Sequence, residues 1–191
     1  MDDDLKSLEP IFRDYLYLKK VRRTGWQLRG IRDGESIADH CFGVALLTML
    51  LAEHLRSIKL NRDLAVTLAL VHELGECRVG DIPFTALKYL TNKSEAEQNA
   101  VAEILKPMGK SADFFMERFR EFEKGSSIEA RFVRAVDKLE MLITAADYEQ
   151  TGYQSLNDFW ENQSTFDVLE EFPPLAIFAQ TLKNSRKNRK V

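Results

Sequence analysis

"LALVHELGECRVGD", residues 68–81, opens as protein interior and closes as chemistry. Leu68, Ala69, Leu70 and Val71 are apolar, and His72, Glu73 and Glu76 follow within what the spacing predicts to be one turn of the same helix. Neighbours on a helix differ by about 100° and residues four apart by about 40°, so Glu76 projects between His72 and Glu73. Three polar groups then share one sector. Burying an unpaired carboxylate is costly, so the apolar run can carry these groups inward only if they have a common partner. A divalent cation would neutralise both carboxylates at once. A hydrogen-bonded network with Arg or Lys would serve too, and a helix end emerging into solvent would need neither.

Outward from this stretch, apolar residues recur at three- and four-residue spacing with no sustained two-residue alternation, and only nine glycines and five prolines interrupt the chain. The expected class is all-α, with about eight helices separated by breaks at Gly30–Gly34, Gly80–Pro83, Lys106–Gly109, Gly125, Gly152 and Pro173–Pro174. The helix holding His72 is expected over 62–76, capped by Asn61 and apolar nearly all round, as a central buried helix is. A second, over 36–57, opens with "SIAD", a capping box of Ser36 and Asp39 that puts His40 in its first turn. His54 falls some 21 Å farther along that helix, outside any site His40 could join. A third, over 127–150, opens with "SSIE" and turns Ile128, Phe132, Ala135, Val136, Leu139 and Leu142 toward the core. Asp137 lies at the border of that stripe, where Arg134 or Lys138 could simply pair with it.

The 191 residues suit a single domain, 1–191, with its core over about 11–170 and a C-terminal helix and basic tail over 171–191. Hydrophobic residues at 45% and charged residues at 30% fit an ordinary soluble protein. No apolar stretch is read as reaching the ~18 residues of a membrane span, and the start, "MDDDLKSLEP", is acidic where a signal peptide is basic, so a cytoplasmic location is expected, with no membrane partner. Cys41 and Cys77 form no CxxC pair and read as reduced core thiols. A net charge of −3 argues against a nucleic-acid polymer as partner. The basic residues are nonetheless clustered. "KKVRRTGWQLRGIR" (19–32) has six Lys or Arg around Trp26, a setting for a small anion beside an aromatic surface, while "KNSRKNRK" (183–190) reads as a solvated, fraying end. "FPPLAIF" (172–178) would pack on a partner subunit or close the domain.

Taken together, "ESIADH" (35–40), "LVHELGECRVGDI" (70–82) and "AVDKLEM" (135–141) resemble the signature of the HD-domain metal-dependent phosphohydrolases, with the spacing H-x31-HE-x63-D. The order and the flanking E-x-x-x-GD are similar to the branch of bacterial 5′-deoxynucleotidases and their eukaryotic relatives. "RTGW" (23–26) stands at that branch's distance before the first histidine. The resemblance implies a single HD-domain helical bundle in which His40, His72, the acid at 73 and Asp137 bind one divalent transition metal ion. Two positions depart from it: Gly25 stands directly before Trp26 where the bacterial members have Arg, as in the eukaryotic-like members, and Glu73 stands where the family's namesake pair has Asp. The extra methylene moves a carboxylate by about 1.5 Å, against a ligand tolerance of ~0.2 Å. Glu73 would then bind with altered metal preference, bind through a water, or mark an inactive site. The first reading is favoured, because Glu76 and Asp81 are both retained.

A mixed His and carboxylate set suits Mn²⁺, Co²⁺, Fe²⁺ or Zn²⁺ ahead of Mg²⁺. Such an ion would activate water and polarise a phosphate, with Glu76 positioning that water or shuttling its proton, as the resemblance also implies. Asp81 would reach the sugar or leaving oxygen, or else cap the segment "DIPFTALKYL". Arg23, or Arg22, would clamp the phosphate, and Trp26 would wall the sugar or base, or anchor the core. The expected activity is removal of the 5′-phosphate from nucleoside monophosphates, with deoxy ones favoured, by a homodimer. The alternatives are a non-catalytic nucleotide or metal sensor and hydrolysis of another phosphate ester such as a cyclic nucleotide.

Overall fold

The computed structural model describes residues 3–187. Eight helices of eight or more residues run through it: α1 Glu9–Leu18, α2 Ile37–His54, α3 Arg62–Val71, α4 Lys93–Leu105, α5 Ala112–Lys124, α6 Ile128–Gln150, α7 Gln163–Glu170 and α8 Pro173–Lys187. Short helical segments lie between them, and among the described residues the sole bridge of strand type joins Arg22 to Ser36. The all-α expectation holds.

Helices α2, α3 and α6 contact one another and form the centre; α5 packs on α3 and α6, while α7 and α8 close over α6. Their shared core includes Val44, Leu68, Ala69, Phe132, Val136, Leu139 and Leu142. The starts of all three follow the capping chemistry of the sequence. Ser36 Oγ accepts from the Asp39 amide while the Asp39 carboxylate accepts from the Ser36 amide; Asn61 caps Leu64, and Ser127 caps Ala130. His40 is thereby fixed one turn into α2.

Several expectations are corrected. The helix predicted over 62–76 ends at Val71, and His72–Gly75 form turns before a short helix, Glu76–Val79. The backbone stays right-handed, but hydrogen bonds from Leu74 to Val71 and from Glu76 to Glu73 span three residues instead of four. Gly75 marks the place where α4 crosses: a Cβ there would lie 2.9 Å from Glu97 Cβ. Nor is α3 enclosed all round, since Leu70 is 58% exposed, and Ile128 at the tip of α6 is exposed as well. Helix α2 is, by length and mean hydropathy (18 residues, 1.2), apolar enough to cross a membrane, against the sequence reading; its inward face nevertheless supplies Val44, Ala45 and Ala52 to the core. Within "KNSRKNRK", residues 183–187 continue α8, and Arg186 pairs with Glu149 at 2.7 Å instead of fraying; 188–190 lie outside the described residues, as does the very start of "MDDDLKSLEP". In "FPPLAIF", Phe172 and Leu175 close the core while Ile177 and Phe178 remain exposed.

Candidate functional site

Where α2, the end of α3 and the middle of α6 meet, two imidazoles face each other with ring centroids 5.5 Å apart. Both are buried, His40 completely. Each ring has its Nδ1 engaged: His72 Nδ1–H donates to the Ala69 carbonyl at 2.7 Å, and His40 Nδ1–H donates to Glu140 Oε2 at 2.7 Å. That arrangement turns both Nε2 atoms to the same space, where neither has an aligned hydrogen bond. Carboxylates surround them. Asp137 Oδ1 lies 3.1 Å from His40 Nε2, and Glu73 Oε1 lies 3.7 Å from His72 Nε2.

Ligand atoms of His40, His72 and Glu73 fall within 4.8 Å of one another, with Asp137 beside them. Two buried, orphaned imidazole nitrogens next to two carboxylates are the donor set a divalent transition ion requires, so the residues present fit a metal. The extra methylene of Glu73 does not remove its carboxylate from the cluster. The cationic network that the sequence left open is present too: Arg23 Nη1 is 3.5 Å from Glu73 Oε1, Lys138 Nζ is 2.8 Å from Asp137 Oδ2, and Lys93 Nζ is 4.0 Å from Glu76 Oε1.

The electrostatics follow from this crowding. Burial keeps His72 neutral, below its ordinary value, and so an acceptor at Nε2. Burial and Arg23 press His40 the same way, but the Asp137 and Glu140 carboxylates beside the ring outweigh them and lift it to about 9. Burial would raise Asp137, yet Lys138 and His40 hold it well below the usual carboxylate range; for Glu73, burial is likewise overcome by His72 and Arg23. Glu76 goes the other way. Burial, then the Glu73 and Asp81 carboxylates, push its carboxyl up to about 10. It sits at the start of the short helix, its Oε2 buried without a partner, so it joins the cluster through a turn and not along one helix face.

Beside the cluster opens a cavity of about 620 Å³, lined among others by Arg23, Arg29, Asp81, Phe84, Lys93 and Phe159. Arg23 reaches it and Arg22 does not: Arg22 Nη1 donates to the Gly34 carbonyl. Asp81 caps nothing in the segment that follows it. Its Oδ2 instead accepts from the Thr24 amide, and its carbonyl accepts from Thr24 Oγ1 at 2.8 Å, which pins the Arg23–Thr24 turn to the cavity edge. Trp26 is 1% exposed, stacked on Phe159 with centroids 4.4 Å apart, and its Nε1 donates to Glu35 Oε1 at 2.8 Å. It is chiefly a core anchor, and it lines the cavity together with Phe159 and Phe84. His54 is exposed at the far end of α2, as expected.

Sequence reasoning passed over Glu140, Glu35, Lys93 and Phe159. Glu140 stood inside a quoted motif, three residues after Asp137 and therefore on the same side of α6, but an acid at the edge of an apolar stripe reads first as solvated. Lys93 and Phe159 carry no local signal.

Comparison with known proteins agrees with this geometry. The HD domain family model matches residues 17–172. The chain belongs to the HD-domain family. Human 5′-deoxynucleotidase HDDC2 is 35% identical over 161 residues, covering 82% of this chain and 76% of that protein. The fission yeast (Schizosaccharomyces pombe) 5′-deoxynucleotidase hdd1 is 34% identical over 160 residues, covering 80% and 79%. Among solved structures, a conserved hypothetical protein from Pyrococcus furiosus superposes with a TM-score of 0.77 at 33% identity, covering 93% of this HD domain chain and 98% of that one. A predicted metal-dependent phosphohydrolase from Magnetospirillum magnetotacticum, at 21% identity and a TM-score of 0.80 over 97% of this chain and 94% of its own, shares the fold.

Proposed function

We propose that this HD domain is a metal-dependent 5′-deoxynucleotidase, hydrolysing the phosphate ester of deoxynucleoside 5′-monophosphates. The observation that carries the reading is the pair of buried Nε2 atoms of His40 and His72, turned to one space with Glu73 and Asp137 at the wall of a cavity of nucleotide size. Relatives named 5′-deoxynucleotidase over four-fifths of the chain support it. His40, His72, Glu73 and Asp137 would hold the ion, with Mn²⁺, Co²⁺, Fe²⁺ or Zn²⁺ preferred to Mg²⁺. When bound, it supplies Lewis-acid polarisation of the phosphate and a lowered pKa for water.

The chain's own residues do the rest. Arg23, held at the cavity edge by the Asp81–Thr24 contacts, pairs with phosphoryl oxygens as charge develops on them. Glu76 orients the attacking water and carries its proton; the water oxygen bonds to phosphorus, the P–O5′ bond breaks, and the 5′-oxygen leaves with a proton. Asp81, which also lines the cavity, would reach the sugar or the leaving oxygen. Phe159, backed by Trp26, and Phe84 flank the nucleoside.

We place the protein in the cytoplasm as one domain and as a homodimer. Phe42, Leu46, Met49 and Leu50, exposed by 38–68%, recur at helical spacing along α2 and support an apolar contact with a second copy.

The test is phosphate release from matched deoxyribo- and ribonucleoside 5′-monophosphates by metal-stripped protein resupplied with each ion, with Glu73→Asp alongside. Metal-requiring turnover favouring the deoxy series is expected, with Glu73→Asp active and shifted in metal preference. Wild type silent with every ion and Glu73→Asp active would establish instead a sensor built on an altered site.

A further inference from the structure

Behind the two histidines lies a second buried group that the proposed reaction does not use. Glu140 is 7% exposed and projects from α6 one turn past Asp137. Its Oε2 accepts from His40 Nδ1 at 2.7 Å, and its Oε1 accepts from Thr144 Oγ1 at 3.2 Å. The Glu35 carboxylate lies in the same cluster, each of the three residues offering an atom within 4.8 Å of the others, and is itself held by Trp26 Nε1. Helix α2 makes room for this arrangement. A Cβ on Gly43, three residues after His40, would lie 2.8 Å from Glu140 Oε1 and 3.2 Å from Glu140 Cγ.

We infer that Glu140 is the positioning residue of the metal site. Resting on the nucleotidase reading above, it fixes His40 with Nδ1 turned to Glu140 and Nε2 turned to the metal space, and Gly43 is the vacancy in α2 that lets it do so. The physical reason is that a buried imidazole with one nitrogen unpaired can rotate or change tautomer. A carboxylate on Nδ1 removes that freedom and makes Nε2 a stronger donor. Two features separate this from ordinary core satisfaction. A buried carboxylate is a costly partner for an Nδ1–H, for which a backbone carbonyl suffices, as Ala69 does for His72. A glycine within α2 is also unfavourable for the helix, so the space it leaves requires an occupant that benefits from it.

The experiment is a competition titration of Co²⁺ and Mn²⁺ against a chelating indicator, on the full chain, comparing wild type with Glu140→Gln, Gly43→Ala and the exposed control His54→Ala. Thermal unfolding of the metal-free proteins is recorded beside it. Glu140→Gln, nearly isosteric, is expected to weaken metal binding by about 10–100-fold. Gly43→Ala should move it in the same direction by displacing Glu140, and both variants should change the Co²⁺ absorption spectrum. His54→Ala should match wild type. Folded Glu140→Gln protein that binds metal with wild-type affinity and an unchanged Co²⁺ spectrum would overturn the assignment and leave the nucleotidase reading intact. Wild-type protein that takes up no metal would overturn both. Should Gly43→Ala fail to fold, Glu140→Gln alone decides.

Discussion

At the scale of single residues, the proposed metal site is a set of four groups, and removing a ligand should cost more than removing an outer partner. His40→Ala, His72→Ala and Asp137→Ala should each lower kcat/KM by more than the ~10–100-fold that loss of an outer partner costs, while His54→Ala stays near wild type. Steady-state phosphate release under saturating metal checks this, and an equal loss at His54 would show the site to be misassigned. Arg23→Ala should lower kcat/KM for the nucleotide, whereas Arg22→Ala, whose guanidinium faces the Gly34 carbonyl, should leave it within a few-fold. The four ligand candidates His40, His72, Glu73 and Asp137 were legible through the family resemblance of the motifs that carry them, since periodicity alone would not have singled out Asp137. Trp26 was legible as a residue but not as a role, since its enclosure by Phe159 and Tyr148 depends on segments more than a hundred positions away. Glu140 stayed hidden for a related reason: its partner is on another helix, and periodicity ranks residues only within their own.

At the scale of elements, the capping box of α2 is the local device that holds His40 in register. Ser36→Ala should cost about 1 kcal/mol of stability in urea melts. The box also carries a pH signature. Hydrogen bonds from the Ser36 backbone and side chain hold Asp39 below its ordinary value of 3.8. Its contribution is therefore fully present above that value and is lost as pH falls through the lower folded-state value. The difference in unfolding midpoint between wild type and Asp39→Asn should accordingly be present at pH 7 and shrink as pH falls below 3.8. An undiminished difference in acid would disprove the linkage. Helix starts were readable because caps are local chemistry: Ser36 and Asn61 cap where the pattern put them, and in "SSIE" the cap is Ser127, one residue beyond the Ser-x-x-Glu pattern, with Glu129 accepting instead from the Asn61 amide. The end of α3 was not. His72 and Gly75 keep helical dihedrals, and only the hydrogen-bond spacing changes where α4 crosses, a tertiary event without a sequence mark.

At the scale of the whole molecule, the site ties together α2, α3 and α6, the three helices that also build the core. Ion binding should then stabilise the entire fold, by about 2.7 kcal/mol at a hundredfold excess over Kd. A melting temperature raised by Mn²⁺ or Co²⁺, returned to the metal-free value by chelator, and insensitive to metal in His72→Ala is the expected result. The same connectivity dictates an order of events in biosynthesis. His40 and His72 leave the ribosome early, but Asp137 and Glu140 come from the last long central helix, so no nascent chain ending before α6 can close the site. Metal would thus be acquired only by a chain whose α6 has already emerged, and a cell that mis-supplies ions would mis-load a formed helical core instead of derailing its assembly.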